Sequence, residues 1–124
     1  MKNYIDGFLF PIHRDHLIEY KSAAEKIADV WKEHGALAYC EYIGDDMKLE
    51  GTLPFADVLP LSDDEVLIFG WVLFDSRKSR DVANTKVAAD PRMADLAKPL
   101  FDSTRMIFDA SKMAYGGFQS FINK

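Results

Sequence analysis

Asp6, Trp71 and Tyr115 are the residues whose types and settings best fit them for chemistry. Asp6 lies in Tyr-Ile-Asp-Gly-Phe-Leu-Phe-Pro, where a period of two puts it on one strand face with Tyr4, Phe8 and Phe10. A carboxylate among aromatic rings loses hydration, which disfavours its charged form, the condition a general acid or base working near neutrality needs. The alternative is a carboxylate near a strand end that bonds a neighbouring loop or caps a helix. Trp71 stands in the middle of an apolar strand, and its indole N–H needs a partner when buried. It is either a wall of a ligand site or ordinary core or interface packing. Tyr115 precedes Gly116-Gly117, and glycine within a strand marks a bulge or the close approach of a backbone or ligand. A phenol beside such a gap can hydrogen-bond a substrate oxygen, while a close dimer contact would explain the glycines equally well.

Other polar groups carry less. His13 and His16 lack the further ligands that a closed metal site needs, so they read as surface residues and no metal is expected. His34 ends a helix, where imidazolium is favoured by the dipole. Asp45-Asp46 and Asp63-Asp64-Glu65 lack the glycine and spacing of a calcium loop and fit turns and edges better. Arg80 and Asp81 are candidates for an ion pair across a dimer. No phosphate-binding glycine loop, serine-nucleophile motif or dinucleotide fingerprint occurs, and no cofactor is expected.

The elements that must position these residues follow from periodicity. A first strand covers about Tyr4 to Pro11. Asp15 is a candidate N-cap for a long helix whose apolar stripe is Leu17, Tyr20, Ala24, Ile27, Trp31 and His34. Gly35 ends that helix, and a second strand runs from Ala36 to Ile43. The long connection from Gly44 to Asp64 holds a candidate short strand at Phe55–Leu59. The third strand, Glu65 to Phe74, does not alternate: Val66, Ile68, Val72 and Phe74 share one face, and Leu67, Phe69, Trp71 and Leu73 the other. Both faces must be covered. Ser76 or Ser79 caps a helix through Ala89, Asp90-Pro91 stops it, and Met93 to Lys98 predicts further helical turns. A last strand covers about Met113 to Ile122.

Strand, helix, strand, strand, helix, strand is the βαββαβ ferredoxin-like plan, an α+β fold with both helices on one face of an antiparallel sheet. The bare face predicts a homodimer, two sheets packing into a dimeric α/β barrel. The 124 residues read as a single domain. The net charge of −5, with eight acidic residues and one lysine between Glu41 and Glu65, argues against nucleic acid. No apolar run is long enough for a membrane span, the N-terminal carboxylate argues against an export signal, and a lone Cys40 fits a reducing cytoplasm.

Several segments resemble the small bacterial YbaA-like family of unknown function, within the dimeric α/β-barrel superfamily. They are Tyr4-Ile5-Asp6-Gly7-Phe8, Lys32-Glu33-His34-Gly35-Ala36-Leu37, Asp64-Glu65-Val66 through Trp71, Arg80-Asp81 with Asn84, Ala89-Asp90-Pro91-Arg92-Met93, and Phe108 through Phe118. The stretch Leu100 to Ile107 departs, its Phe101-Asp102-Ser103-Thr104-Arg105-Met106 being an imperfect echo of Phe108 to Met113. The resemblance implies a ferredoxin-like dimer and no established activity. Superfamily monooxygenases use a central-strand tryptophan to bind or orient an aromatic substrate, and Trp71 with Asn84 is similar to that arrangement. The sequence therefore supports a small-molecule enzyme of monooxygenase or isomerase type, its pocket between sheet and helices. In it Asp6 serves as base or orienter, Trp71 and Tyr115 as wall and donor, Asn84 as polar support, and a small aromatic or carbonyl compound as ligand. The alternative is a non-catalytic ligand-binding or stress-related dimer.

Overall fold

A computed structural model of the protein describes residues 3–102 and 105–124. The strands β1 (Tyr4–His13), β2 (Ala38–Ile43), β3 (Glu65–Phe74) and β6 (Ala114–Gln119) form one antiparallel sheet in the order β2-β3-β1-β6. The helices α1 (Leu17–Glu33), α3 (Arg77–Ala89) and α4 (Arg92–Ala97) cover one face of it. This is the ferredoxin-like α+β arrangement that the sequence predicts.

Two elements differ from expectation. Phe55–Val58 is a single helical turn, α2, rather than a short strand. Pro54 fixes its entry, and the Asp57 and Leu59 N–H groups bond the Pro54 and Phe55 carbonyls, which closes the turn locally instead of pairing it with a strand. The last strand stops at Gln119, three residues early, after which the Ser120 N–H turns back to the Asn3 carbonyl. Two-residue strands β4 (Phe101–Asp102) and β5 (Arg105–Met106) pair with each other, and Ser103-Thr104 of the irregular segment lies outside the described residues.

Capping also departs in one place. His13, not Asp15, caps the first helical turn, its Nδ1 accepting from the Asp15 N–H at 3.1 Å. Gly35 ends α1 with φ +117°, and Ser76 caps α3 through the Ser79 N–H. Asp90 is extended before Pro91; its carboxylate accepts from Arg92, which also pairs with Glu33, and lies 2.7 Å from His34 Nε2. That network ties the end of α1 to the start of α4.

The two faces of β3 separate as parity requires. Ile68, Val72 and Phe74 enter the helix-side core with Phe10, Ile12 and Ala83, and Phe74 is fully buried. Trp71 and Phe69 face away from the helices, in register with Gly7 and Leu9. The Trp71 ring stacks on Tyr42 at 5.0 Å, and Phe55 of the connection lies 5.9 Å from Phe69, capping one end of this face. The rest stays uncovered in one chain: Phe69, Tyr42 and Phe118 are all more than 40% exposed. Trp71 and Phe118 border a trough of about 420 Å³ floored by Gly7 and Gly116.

Candidate functional site

The helix-covered side of the sheet carries two polar groupings. The first unites two expected residues. Asp6 on β1, in register with Gly117 and Val72, turns toward α3 and is 4% exposed. Arg80, one turn into α3, donates through Nη1 to Asp6 Oδ1 and to the Tyr115 oxygen, both at 2.8 Å, and through Nη2 to the Tyr4 oxygen at 3.2 Å. Tyr115 itself donates to Asp6 Oδ1 at 2.7 Å. The Arg80 guanidinium also lies 4.8 Å from the centre of the Tyr4 ring. Burial first, and then the Asp6 carboxylate, push the Tyr115 phenol up to about 12, so it stays a donor.

Gly117 makes this clamp possible. A Cβ there would lie 2.1 Å from the Tyr4 oxygen, so only glycine leaves room for that ring across β6. Arg80 is thus engaged with Asp6, and through Nε with Asp81 at 2.9 Å, within the chain. Asn84 lies one turn further along α3, half-buried, and Trp71 lies on the opposite sheet face. Trp71 and Tyr115 both line the trough of about 420 Å³ and Asp6 and Asn84 do not, so the four expected residues do not share one pocket.

The second grouping centres on Glu41, which the sequence reading passed over. β2 is an edge strand, and its register sets Glu41 opposite Gly70 and Tyr39 opposite Val72, turning both toward α1. Tyr20 of α1 donates to Glu41 Oε1 at 2.5 Å. Oε2 is buried and, among the described residues, is the one buried side-chain nitrogen or oxygen with no hydrogen-bond partner. A buried acceptor left unmatched is costly and marks a place where something else belongs. Glu41 is one of the residues lining a cavity of about 440 Å³ between α1 and β2, walled by Leu17, Ala24, Tyr39, Ile43 and Ile68, with Lys21 and Glu25 also contributing.

Burial, above all, holds Glu41 above the ordinary carboxylate range, against the neighbouring phenols of Tyr20 and Tyr39, which favour its charged form. Burial, and next the Glu41 charge, raise both phenols, which remain neutral O–H donors. An apolar cavity holding a carboxyl group of raised proton affinity and two neutral phenols can move a proton to or from a bound molecule.

This has a consequence for stability. The native state keeps the Glu41 proton above the ordinary value of 4.5, so it binds more protons than the unfolded chain from there up to the native value. Stability therefore falls as pH rises through that window. Glu33, Glu65, Asp90 and Asp109 are held low, so their contributions change only below their ordinary values. Glu41→Gln is expected to gain stability relative to the parent as pH rises from about 5 to about 8. Thermal unfolding of both proteins across that range checks it, and parallel curves would rule it out.

Glu41 left a signal that could have been read. Tyr39, Glu41 and Ile43 share a strand face, and pairing with β3 makes that face inward, opposite the Tyr20 stripe of α1. Among the described residues, no cluster of three or more His, Cys, Asp or Glu side chains is arranged to hold a metal ion. No described helix is long and apolar enough to cross a membrane.

A four-stranded antiparallel sheet with one helical layer defines a ferredoxin-like α+β protein. Over residues 3–110 the chain matches the family described as a protein of unknown function, DUF1428. It is 33% identical over 121 residues to the uncharacterised protein YbaA of Escherichia coli K12, covering 98% of each chain, and equally to that of Shigella flexneri. The chain belongs to the DUF1428 family. A nipsnap family protein of unknown function from Agrobacterium tumefaciens shares the fold at TM-score 0.57 and 12% identity, over 95% of this chain and 87% of that one. SnoaB of Streptomyces nogalater, described as a cofactor-independent oxygenase, does so at TM-score 0.51 and 10% identity, over 98% and 94%.

Proposed function

We propose that the protein is a small-molecule enzyme of isomerase type, which moves a proton at a carbon beside the carbonyl of a largely apolar ligand bound between α1 and β2. The observation that carries this reading is that Glu41, whose buried Oε2 lacks a partner, is the carboxylate lining an apolar cavity beside two phenols. Ionised Glu41 takes the proton on Oε2 while Tyr20 holds Oε1. The Tyr39 O–H supports the negative charge that develops on the ligand oxygen. A monooxygenase would begin with the same proton transfer, and the fold is shared with a cofactor-independent oxygenase.

The residues singled out by sequence take supporting roles. Asp6 and Tyr115, through Arg80, fix α3 on the sheet, and Asn84 extends that polar face of the helix. Trp71 belongs to a homodimer interface on the open face, whose exposed Phe69, Tyr42 and Phe118 a second copy would cover. Light scattering is expected to give twice the chain's 14.1 kDa. Trp71→Asp should shift the mass toward one chain, and a monomeric parent protein would refute the dimer. The free Cys40 fits a reducing compartment.

The function is tested by following a phenyl ketone, acetophenone, in deuterated buffer by proton NMR. Exchange of its α-protons faster than in buffer alone, lost in Glu41→Gln, supports the enzyme. A melting shift without exchange would instead favour the non-catalytic binding protein.

A further inference from the structure

A second cavity adjoins the first. The two share Tyr20, Ala24 and Tyr39 as a common wall, and the second, of about 210 Å³, extends from there toward α4 and the segment after it. At Ala24, one turn beyond Tyr20, a single methyl group is the side chain on that wall. The hydroxyl of Tyr20 is directed to Glu41 in the outer cavity, so it does not make the inner one polar.

Phe10 lies on the floor of the inner chamber, edge-on to Tyr20 at 5.4 Å and to Phe108 at 5.0 Å. Met93, Ala97 and Leu100 line the side toward α4. A cavity of about 150 Å³ accepts benzene, so this one, of about 210 Å³, has room for a phenyl ring or a short alkyl chain. Methionine lends the wall adaptability, which suits a chain of variable length.

We propose that the inner chamber is a subsite for the apolar tail of a two-part ligand, an aryl or alkyl ketone whose carbonyl head occupies the outer cavity beside Glu41. This deepens the reading of the Glu41 cavity as a ligand site and rests on it. The tail passes the shared wall at Ala24, between the Tyr20 and Tyr39 rings.

The probes are acetophenone, butyrophenone and hexanophenone, titrated calorimetrically into the full chain. With the parent protein, each added methylene is expected to tighten binding by about fourfold, the increment for burying one such group. Ala97→Phe fills the chamber from α4 and should flatten that dependence. Met93→Phe is a second variant that reduces the chamber from the same side, should the first fail to fold. A folded variant that keeps the full chain-length dependence would overturn the subsite. So would hexanophenone binding the parent protein no tighter than acetophenone. In either case the Glu41 reading stands if acetophenone exchange persists and is lost in Glu41→Gln. If none of the three ketones binds, the Glu41 reading falls and the tail subsite falls with it.

Discussion

Glu41→Gln lowers the protein-catalysed exchange of acetophenone α-protons by about 10²–10⁴-fold, the usual contribution of a positioned general base. The amide keeps the shape of the side chain and can still accept from Tyr20, so the fold and the cavity persist. What it loses is an oxygen able to receive a proton. In the proposed reaction the C–H electron pair moves into the ligand carbonyl as the proton passes to Glu41, and solvent later returns a deuteron. Because burial holds Glu41 above the ordinary carboxylate range, the exchange rate is expected to climb with pH through that raised value and then level. A Glu41→Gln rate equal to the parent's, or a parent rate equal to buffer, would end the proton-transfer reading.

Arg80→Ala is the most destabilising single change expected. Asp6 and Arg80 side chains are 6% and 12% exposed, and removal of the cation leaves a buried carboxylate held by Tyr115 alone. Breaking such a pair costs about 3 kcal/mol, which for a chain of this length lowers the melting temperature by roughly 10 °C. Arg80→Lys should restore little, since an ammonium cannot reach Asp6, Tyr115 and Tyr4 at once as the planar fork does. The Asp6→Asn, Arg80→Ala double variant should lose less than the sum of the single changes, because the neutral amide no longer needs the cation. A loss below about 1 kcal/mol for Arg80→Ala would mean that solvent replaces the guanidinium and that the clamp is incidental.

These outcomes divide along a line already visible between sequence and fold. Period-two alternation set the faces of β1 and β3, because side chains on a strand can point only two ways. The stripe from Leu17 to Trp31 located α1, and Asp90-Pro91 located the end of α3, for equally local reasons. Locality also produced the error at Phe55–Val58. Alternating apolar residues fit one helical turn as readily as a short strand, and Pro54 with the connection's own hydrogen bonds decided for the turn. Trp71 shows the boundary. Parity placed it opposite Val72, but only the packing of α1 and α3 settled which of those faces is the core.

By itself the sequence determined the order of elements, the ferredoxin-like plan and the surplus of apolar strand faces over helices to cover them, because each follows from short-range stereochemistry. The tertiary structure decided which polar residues meet. Asp6 lies 74 positions from Arg80 and 109 from Tyr115, and Tyr20 lies 21 from Glu41. Strand register and the docking of helices close those gaps, and no spacing rule reports them. Asp6, conspicuous among aromatics in the sequence, has its charge compensated in the fold. Glu41, inconspicuous in an acidic stretch, is left with an unmatched buried oxygen and lines a cavity, because strand pairing turned it inward and α1 covered it.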